Sequence, residues 1–268
     1  MSCYLCGYEG YRTRKEGVRD NPEINVLECS KCGLVYLSHF EYTPDRVHKL
    51  VRNLKSWYRA TENDDTRRAK HLKDITKGKA VLDFGCGNGG FLRKVVANSV
   101  CGIEIDRKAK QFCKDNGLDT FNDLDEVGKF DVITMFHVIE HLPDPISTLK
   151  EMAKHLNKKG MIVVETPNAN DALITLYHCK DFEEFTYWSE HPFLYSHVTL
   201  KKVAEEAGYV VKEMSQYQRY PLANHLYWMS HGKPNGHNVW SFIQDDKYAE
   251  GLASIKKCDT IVAIMEKL

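Results

Sequence analysis

The sequence has no excess of charge of either sign. Lys and Arg together number 37, Asp and Glu also number 37, and the formal net charge at pH 7 is +0. Nucleic acids and anionic membranes are bound through basic surfaces, so this balance argues against both as partners. We therefore expect a small-molecule partner, with no nucleic acid and no membrane bound.

Long apolar runs are also missing. No apolar stretch approaches the roughly 20 residues that span a bilayer. The first ten residues, MSCYLCGYEG, do not have the basic segment and apolar segment of a secretory signal. We therefore expect a cytoplasmic protein, and its 268 residues suffice to bury a full core.

Four of the nine cysteines lie near the N-terminus as two C-x2-C pairs, namely Cys3, Cys6, Cys29 and Cys32. Each pair is followed by a glycine, which tolerates the turn that lets two thiolates bind one tetrahedral Zn²⁺. The segments INVLECS and GLVYLS are strand-like, so residues 1–40 are predicted to form a zinc-binding β-ribbon. Four thiolates leave no position for water, which makes the predicted zinc structural. The alternative is four free thiols in a disordered tail.

Residues 41–78 are predicted to be a helical linker between the ribbon and the following domain. They are charged, and their apolar side chains recur near helical spacing; these are Val47, Leu50, Leu54, Trp57 and Tyr58. We interpret this stripe as packing rather than ligand contact.

The segment AVLDFGCGNGGFLRKVV reads as a strand, a glycine loop and a helix, the opening unit of a doubly wound α/β fold. Gly85, Gly87 and Gly90 satisfy G-x-G-x-x-G, and Glu104 ends the next strand. Nicotinamide enzymes share this pattern. Asp83, two residues before the first glycine, favours a cationic ligand, because its carboxylate would repel a pyrophosphate lying on the loop.

Several segments in order resemble a known family. VLDFGCGNGGFL resembles motif I of class I S-adenosylmethionine-dependent methyltransferases, and GIEID resembles their second motif. FDVITMFHVIEHLPDP, GMIVVETPN and HPFLYSHVTLKKVAEEAGY resemble the subfamily that includes ubiquinone-type O-methyltransferases. The resemblance covers residues 79–268 and implies a Rossmann-like, seven-stranded, mostly parallel sheet with helices on both faces and an antiparallel final hairpin. It also implies acceptor-side insertions at 168–198 and 219–257.

The same resemblance implies the S-adenosylmethionine site. Its predicted residues are Asp83, Gly85, Cys86, Gly87, Glu104, Ile105, Asp123, Phe136 and His137. Asp83, Gly85 and Gly87 would border the methionine part, Glu104 the ribose and Asp123 the adenine, with Phe136 and His137 facing the sulfonium. Asp106 is an alternative to Glu104.

His137, Glu140 and His141 spell H-x-x-E-H, the pattern of an inverted zinc protease. That interpretation is rejected, because the pattern follows an apolar strand and stops at Leu142-Pro143 instead of lying in a helix. Methyl transfer assisted by a divalent metal stays open. A neutral imidazole can accept the proton of an alcohol acceptor, so His137 or His141 is the predicted catalytic base.

Aromatic residues crowd the first insertion, which is predicted to be a lid over the acceptor; they are Tyr177, Phe182, Phe185, Tyr187, Trp188, Phe193 and Tyr195. Helix packing explains about half of them equally well. The second insertion carries Arg219, His225, His231, Lys233 and His237, which suit a phosphorylated or nucleotide-linked acceptor or a dimer interface. The oligomeric state stays open.

A ribbon before such a domain is similar to the arrangement in deoxysugar C-methyltransferases and in enzymes of bacterial surface-polysaccharide clusters. The C-methyltransferases have a further large C-terminal domain that this sequence lacks. The prediction is therefore O-methylation of a sugar, a nucleotide-linked sugar or a phosphorylated precursor of capsule or lipopolysaccharide. The alternatives are N- or C-methylation of a small molecule, an NAD-dependent oxidoreductase and a non-catalytic zinc-ribbon scaffold.

Overall fold

The computed structural model describes residues 2–41, 54–243 and 245–268, with the side chains of 54–60 and 246 left out. Part of the predicted linker stripe, including Val47 and Leu50, therefore lies outside the described residues. The described part of the linker contains the long helix Leu54–His71 and the short helix Lys73–Thr76.

Eleven strands are present among the described residues. They are β1 (Tyr11–Lys15), β2 (Val26–Cys29), β3 (Val35–Leu37), β4 (Ala80–Phe84), β5 (Ser99–Ile103), β6 (Thr120–Phe121), β7 (Phe130–Phe136), β8 (Leu156–Pro167), β9 (Phe193–Leu194), β10 (Tyr209–Tyr217) and β11 (Thr260–Lys267). The helices of the same residues are α1 (Leu54–His71), α2 (Lys73–Thr76), α3 (Arg107–Asp115), α4 (Pro145–Met152), α5 (Ala172–Thr175), α6 (Lys180–Thr186), α7 (His197–Glu206), α8 (Leu222–His231), α9 (Gly236–Val239) and α10 (Asp246–Ser254).

The central sheet has the predicted seven strands, in the order β10-β11-β8-β7-β4-β5-β6. The β8-β7, β7-β4, β4-β5 and β5-β6 pairs are parallel, whereas β11 runs antiparallel to both β8 and β10. The predicted Rossmann-like fold with an antiparallel final hairpin is confirmed.

Apolar residues on both faces of β4 and β7 explain why these strands lie at the centre. Leu82 and Ile133 belong to one hydrophobic cluster, and Val81 and Val132 belong to another on the opposite face. A parallel strand covered on both faces needs such a continuous apolar run. No helix among the described residues is long and apolar enough to cross a membrane.

Helix α4 begins with a capping residue and a proline. Asp144 accepts a hydrogen bond from the Ser147 N–H at 3.0 Å, and Pro145 occupies the first helical turn.

The helix predicted directly after the glycine loop is wrong. Phe91 to Lys94 form only turns, with Arg93 N–H donating to the Gly89 carbonyl. The β-branched Val95 and Val96 disfavour further helix, and β5 begins three residues later.

Candidate active site

The first half of the candidate site is the glycine loop at the carboxyl end of β4. Asp83, the last but one residue of β4, is 3% exposed, and its Oδ1 accepts a hydrogen bond from Thr134 Oγ1 at 2.7 Å. Burial raises the pKa of Asp83 to about 7, although the Thr134 hydrogen bond lowers it. A buried carboxylate whose pKa is raised by desolvation is stabilised by a cation, which fits the sulfonium and ammonium groups of the predicted cofactor.

Gly85 begins the loop in a conformation that side chains avoid. Its φ is +78°, and a Cβ at this position would lie 2.4 Å from Cγ2 of Val138. The N–H groups of Gly85 and Cys86 both donate to the Ile103 carbonyl at the end of β5. The loop therefore lies between the ends of β5 and β7, where the open α/β folds bind their ligands.

Glu104, directly after β5, holds the loop by hydrogen bonds. One carboxylate oxygen accepts from the Gly87 N–H at 2.7 Å and the other accepts from the Asp106 N–H at 2.8 Å. Asp106 itself caps α3 by accepting from the Ala109 N–H. Both carboxylates accept backbone hydrogen bonds, so these contacts do not decide between Glu104 and Asp106 as the candidate for a ribose.

The other two predicted residues on this side lie further out. Ile105 is 40% exposed beside Glu104. Asp123 is exposed beyond β6, where its Oδ1 accepts from the Leu124 N–H and caps a short 3-10 turn. The sheet order β4-β5-β6 places Glu104 between the glycine loop and Asp123. The three predicted positions therefore follow one another along the carboxyl edge of the sheet, and their roles toward the cofactor stay predictions.

His137 follows β7 in the left-handed region, with φ of 55°. Its Nδ1 lies 3.3 Å from Oε1 of Glu140, and its Nε2 lies 3.4 Å from Oε1 of Glu165. Burial lowers the pKa of His137, but the hydrogen bonds to Glu140 and Glu165 outweigh it and leave the pKa above its usual value. Both ring nitrogens of His137 thus face carboxylates, which weakens the prediction that His137 accepts a proton from an acceptor.

Arginines of α1 were missed by the sequence interpretation. Arg67 donates to both carboxylate oxygens of Glu165 at 2.9 and 2.8 Å. Arg68 donates to the same carboxylate from Nε and NH2, and its guanidinium lies 4.6 Å from the Phe136 ring centre. The positive charge of Arg68 also lowers the pKa of Asp83, so it acts at the methionine side of the site. The signal available was a charged residue, Glu165, inside the apolar strand MIVVETP.

Arg219, from the second insertion, lies next to His137 and adds a third arginine to Arg67 and Arg68. It donates to Asp64 Oδ2 from Nε at 3.0 Å and from NH2 at 2.6 Å, and its NH1 lies 3.3 Å from Nε2 of His137. The guanidinium groups of Arg67, Arg68 and Arg219 thus all face carboxylates of this chain. This pairing gives no support to an acceptor phosphate at these residues.

His141 points away from His137 toward the first insertion. Its Nδ1 lies 2.7 Å from the Glu190 carbonyl, so the Nδ1–H tautomer donates there and the Nε2 lone pair is left to act. Glu140, His141 and His191 offer ligand atoms within 4.8 Å of one another. Nδ1 of His191 is buried with no hydrogen-bond partner among the described residues. These three side chains could hold a divalent metal, a possibility that the sequence had left open.

The first insertion is only in part the predicted lid. Tyr187, Phe193 and Tyr195 are 1%, 3% and 0% exposed and belong to hydrophobic clusters, so they are packing residues. Trp188 differs, because its ring lies 6.2 Å from His141 and 5.1 Å from His191. Trp188 is therefore the aromatic side chain of the insertion that lies beside the candidate catalytic histidines.

The four N-terminal cysteines lie together as predicted. Sγ of Cys3 is 3.6 Å from Sγ of Cys32, and Sγ of Cys6 is 3.6 Å from Sγ of Cys29. A tetrahedral zinc with Zn–S bonds of about 2.3 Å needs sulfurs about 3.8 Å apart. The glycine after each pair has positive φ, 66° at Gly7 and 77° at Gly33. The cysteine cluster therefore fits a structural Zn²⁺.

Comparisons with known proteins agree with this geometry. The family described as "Methyltransferase domain" matches residues 32–213. The chain is 27% identical over 168 residues to a ubiquinone biosynthesis O-methyltransferase of Aeromonas salmonicida, covering 55% of this chain and 69% of that protein. It is 33% identical over 108 residues to the protein of the same name from Nitrosospira multiformis, covering 35% and 45%.

A solved structure shows the same fold. The S-adenosylmethionine-dependent methyltransferase of Thermotoga maritima superposes with a TM-score of 0.55 at 16% identity, covering 84% of this chain and all of that chain. At this identity the likeness concerns the fold alone.

Proposed function

The chain belongs to the methyltransferase-domain family and is a class I S-adenosylmethionine-dependent methyltransferase. From this premise we propose that it methylates a hydroxyl oxygen of a small-molecule acceptor. S-adenosylmethionine supplies an electrophilic methyl group on a cationic sulfur. The chain must then align the acceptor and remove one proton. An O-methyltransferase is favoured over an N-methyltransferase because imidazoles suited to taking that proton lie beside the candidate cofactor site.

The observation that supports this proposal most strongly is the hydrogen bond between His141 and the Glu190 carbonyl, 2.7 Å long. It orients the ring and leaves Nε2 as the acceptor, the arrangement that a general base needs. Both ring nitrogens of His137 face carboxylates, which makes it the less suitable of the two predicted bases. We therefore assign proton removal to His141 and electrostatic organisation of the site to His137.

For the cofactor we propose that Asp83 faces the cationic methionine end and that Glu104 faces the ribose. Asp83 supports this binding mode and disfavours NAD, whose pyrophosphate would lie near a buried carboxylate. Isothermal titration should detect S-adenosylhomocysteine and no NAD; NAD binding with higher affinity would overturn the assignment.

The acceptor class is tested directly with [methyl-³H]-S-adenosylmethionine. A panel of nucleotide sugars tests the sugar acceptor expected from the sequence, and 3,4-dihydroxybenzoate tests a phenolic acceptor of the kind suggested by the relatives' names. His141→Ala should lower turnover of the active acceptor about 10²- to 10⁴-fold, the range of general base catalysis. S-adenosylhomocysteine affinity should stay within twofold, and an unchanged turnover would exclude His141 as the base.

A second mechanism is favoured by the cluster of Glu140, His141 and His191. Here the same three side chains would hold a divalent metal, and such a metal would lower the pKa of a bound acceptor hydroxyl. A carbonyl that receives the other ring N–H is the usual support of a metal-binding histidine. Loss of turnover in EDTA, restored by Mg²⁺ or Mn²⁺, together with inactivity of His191→Ala, would favour this mechanism; full activity in EDTA would exclude it.

A further inference from the structure

The ribbon and the first insertion share one sheet. Strand β3 of the ribbon pairs antiparallel with β9 of the insertion, with Val35 opposite Leu194 and Tyr36 opposite Phe193. The Leu37 N–H also donates to the Pro192 carbonyl at 3.0 Å. The chain from the zinc ligand Cys32 to β3 is only two residues long, so the cysteine cluster fixes a strand that in turn fixes β9.

A second set of contacts holds the turn just before β9. The Asp20 carboxylate accepts hydrogen bonds from the Ser189 N–H at 3.0 Å and from the Ser189 hydroxyl at 2.6 Å. Arg19 donates from its backbone N–H to the Tyr187 carbonyl, and its guanidinium lies 4.2 Å from the centre of the Trp188 ring. Every residue from 187 to 189 is thus bound by the ribbon.

This turn carries the acceptor side of the candidate active site. Trp188 and His191 pack with their rings 5.1 Å apart, and His191 packs on His141 at 4.6 Å. The carbonyl that orients His141 belongs to Glu190 of the same turn. The positions of all three groups therefore depend on contacts that the ribbon makes at Ser189 and at β9.

The ribbon also shares its hydrophobic core with the insertion. One buried cluster contains ribbon residues and insertion residues together: Val18, Ile24, Val26, Val35, Leu37, Ala169, Ile174, Tyr187 and Leu194. Side chains of two segments in one core lose their packing together when either segment unfolds. A freely moving ribbon that only recruits a partner does not need such a core.

The cysteine pairs have a further link to the site through Tyr4, which lies between Cys3 and Cys6. The Tyr4 hydroxyl donates to Asp144 at 2.5 Å and accepts from the Ile146 N–H at 3.0 Å. Asp144 caps α4 directly after the His141 turn. The ribbon thus also contacts the start of α4, three residues after His141.

We propose that the zinc ribbon positions the acceptor side of the active site, with Arg19 and Asp20 as the positioning residues for the turn that carries Trp188, Glu190 and His191. Zinc loss is then expected to impair acceptor use while cofactor binding on the β4-β5 side persists. The consequence for the acceptor rests on the proposed function, whereas the positioning itself can be measured without an acceptor.

Hydrogen exchange read by mass spectrometry tests the positioning. In protein freed of zinc by 1,10-phenanthroline, amides of residues 185–196 should exchange at least tenfold faster, whereas amides of β4, β5 and β7 should keep their protection. S-adenosylhomocysteine affinity should change less than threefold. Equal exchange of 185–196 with and without zinc would overturn the proposal, and so would loss of protection throughout the central sheet.

Asp20→Ala provides a test in which the zinc is retained. It should accelerate exchange of residues 185–191 about three- to tenfold and lower kcat/KM for the active acceptor, while the KM of S-adenosylmethionine stays unchanged, because the loosened turn carries the Glu190 carbonyl that orients His141. Asp20→Asn keeps an oxygen for the Ser189 N–H and should restore part of both effects. Glu23→Ala, an exposed ribbon variant, is the matched control. If Asp20→Ala behaves like Glu23→Ala in exchange, the positioning role is refuted; if exchange responds but no acceptor reacts, only the proposed function fails.

Discussion

Replacing Gly85 by alanine tests the close approach on which the cofactor loop depends. The new Cβ would lie 2.4 Å from Cγ2 of Val138, and a β-branched side chain has few rotamers with which to retreat. Holding alanine in the left-handed backbone conformation destabilises the folded state by roughly 1–2 kcal/mol. Alanine also reduces the conformational entropy of the unfolded chain, which offsets about 0.4–1 kcal/mol of that loss. Overpacking adds about 1–3 kcal/mol, so Gly85→Ala should lower the free energy of unfolding by about 2–4 kcal/mol.

Gly117→Ala is the control that separates the two costs. Gly117 also has positive φ, +73°, but nothing lies within 4 Å of its Cβ position. It should lose only about 1 kcal/mol, the backbone cost alone, and keep its cofactor affinity. Adding Val138→Ala to Gly85→Ala should recover the steric part of the loss and leave the backbone part.

Urea unfolding gives the stabilities, and isothermal titration with S-adenosylhomocysteine gives the affinities. Gly85→Ala should bind at least about tenfold more weakly, equivalent to about 1.4 kcal/mol, because Val138 adjoins His137 at the site. The reasoning is refuted if Gly85→Ala and Gly117→Ala lose the same stability and both bind normally.

Three further predictions concern charge and metal. Because burial raises the pKa of Asp83 to about 7, affinity for S-adenosylhomocysteine should rise with pH through that value as the carboxylate ionises, and calorimetry of Asp83→Asn should show no such rise. Burial and the charge of Asp259 raise the pKa of Asp171 to about 8. The folded state thus binds this proton more tightly than the unfolded state does. The free energy of unfolding should therefore fall as the pH rises from about 4 to about 8. Asp171→Asn, which keeps the helix cap at Leu173, should flatten that decline in urea titrations at each pH. Native mass spectrometry should find one zinc per chain, lost in Cys32→Ser and retained in Cys179→Ser; retention in Cys32→Ser would contradict the cysteine site.

The sequence predicted the features that depend on short stretches of chain. The ribbon followed from the spacing of Cys3, Cys6, Cys29 and Cys32, because a tetrahedral ion imposes that spacing locally. The strand and loop around Asp83 followed from apolar runs and glycines within about fifteen residues. The predicted seven-stranded sheet came from the resemblance across the later motifs, because no single segment of the sequence determines the order of the strands.

The tertiary structure alone decided which side chains meet. Arg68 pairs with Glu165 and Arg219 pairs with Asp64 across long stretches of the chain, and these contacts depend on how α1 and the second insertion pack at the ends of β7 and β8. The hydrogen bonds of His137 to Glu140 and Glu165 raise its pKa, and the orientation of His141 comes from a carbonyl 49 residues away. Long-range contacts of this kind are fixed by packing of complete elements, so periodicity and motif spacing carry no record of them.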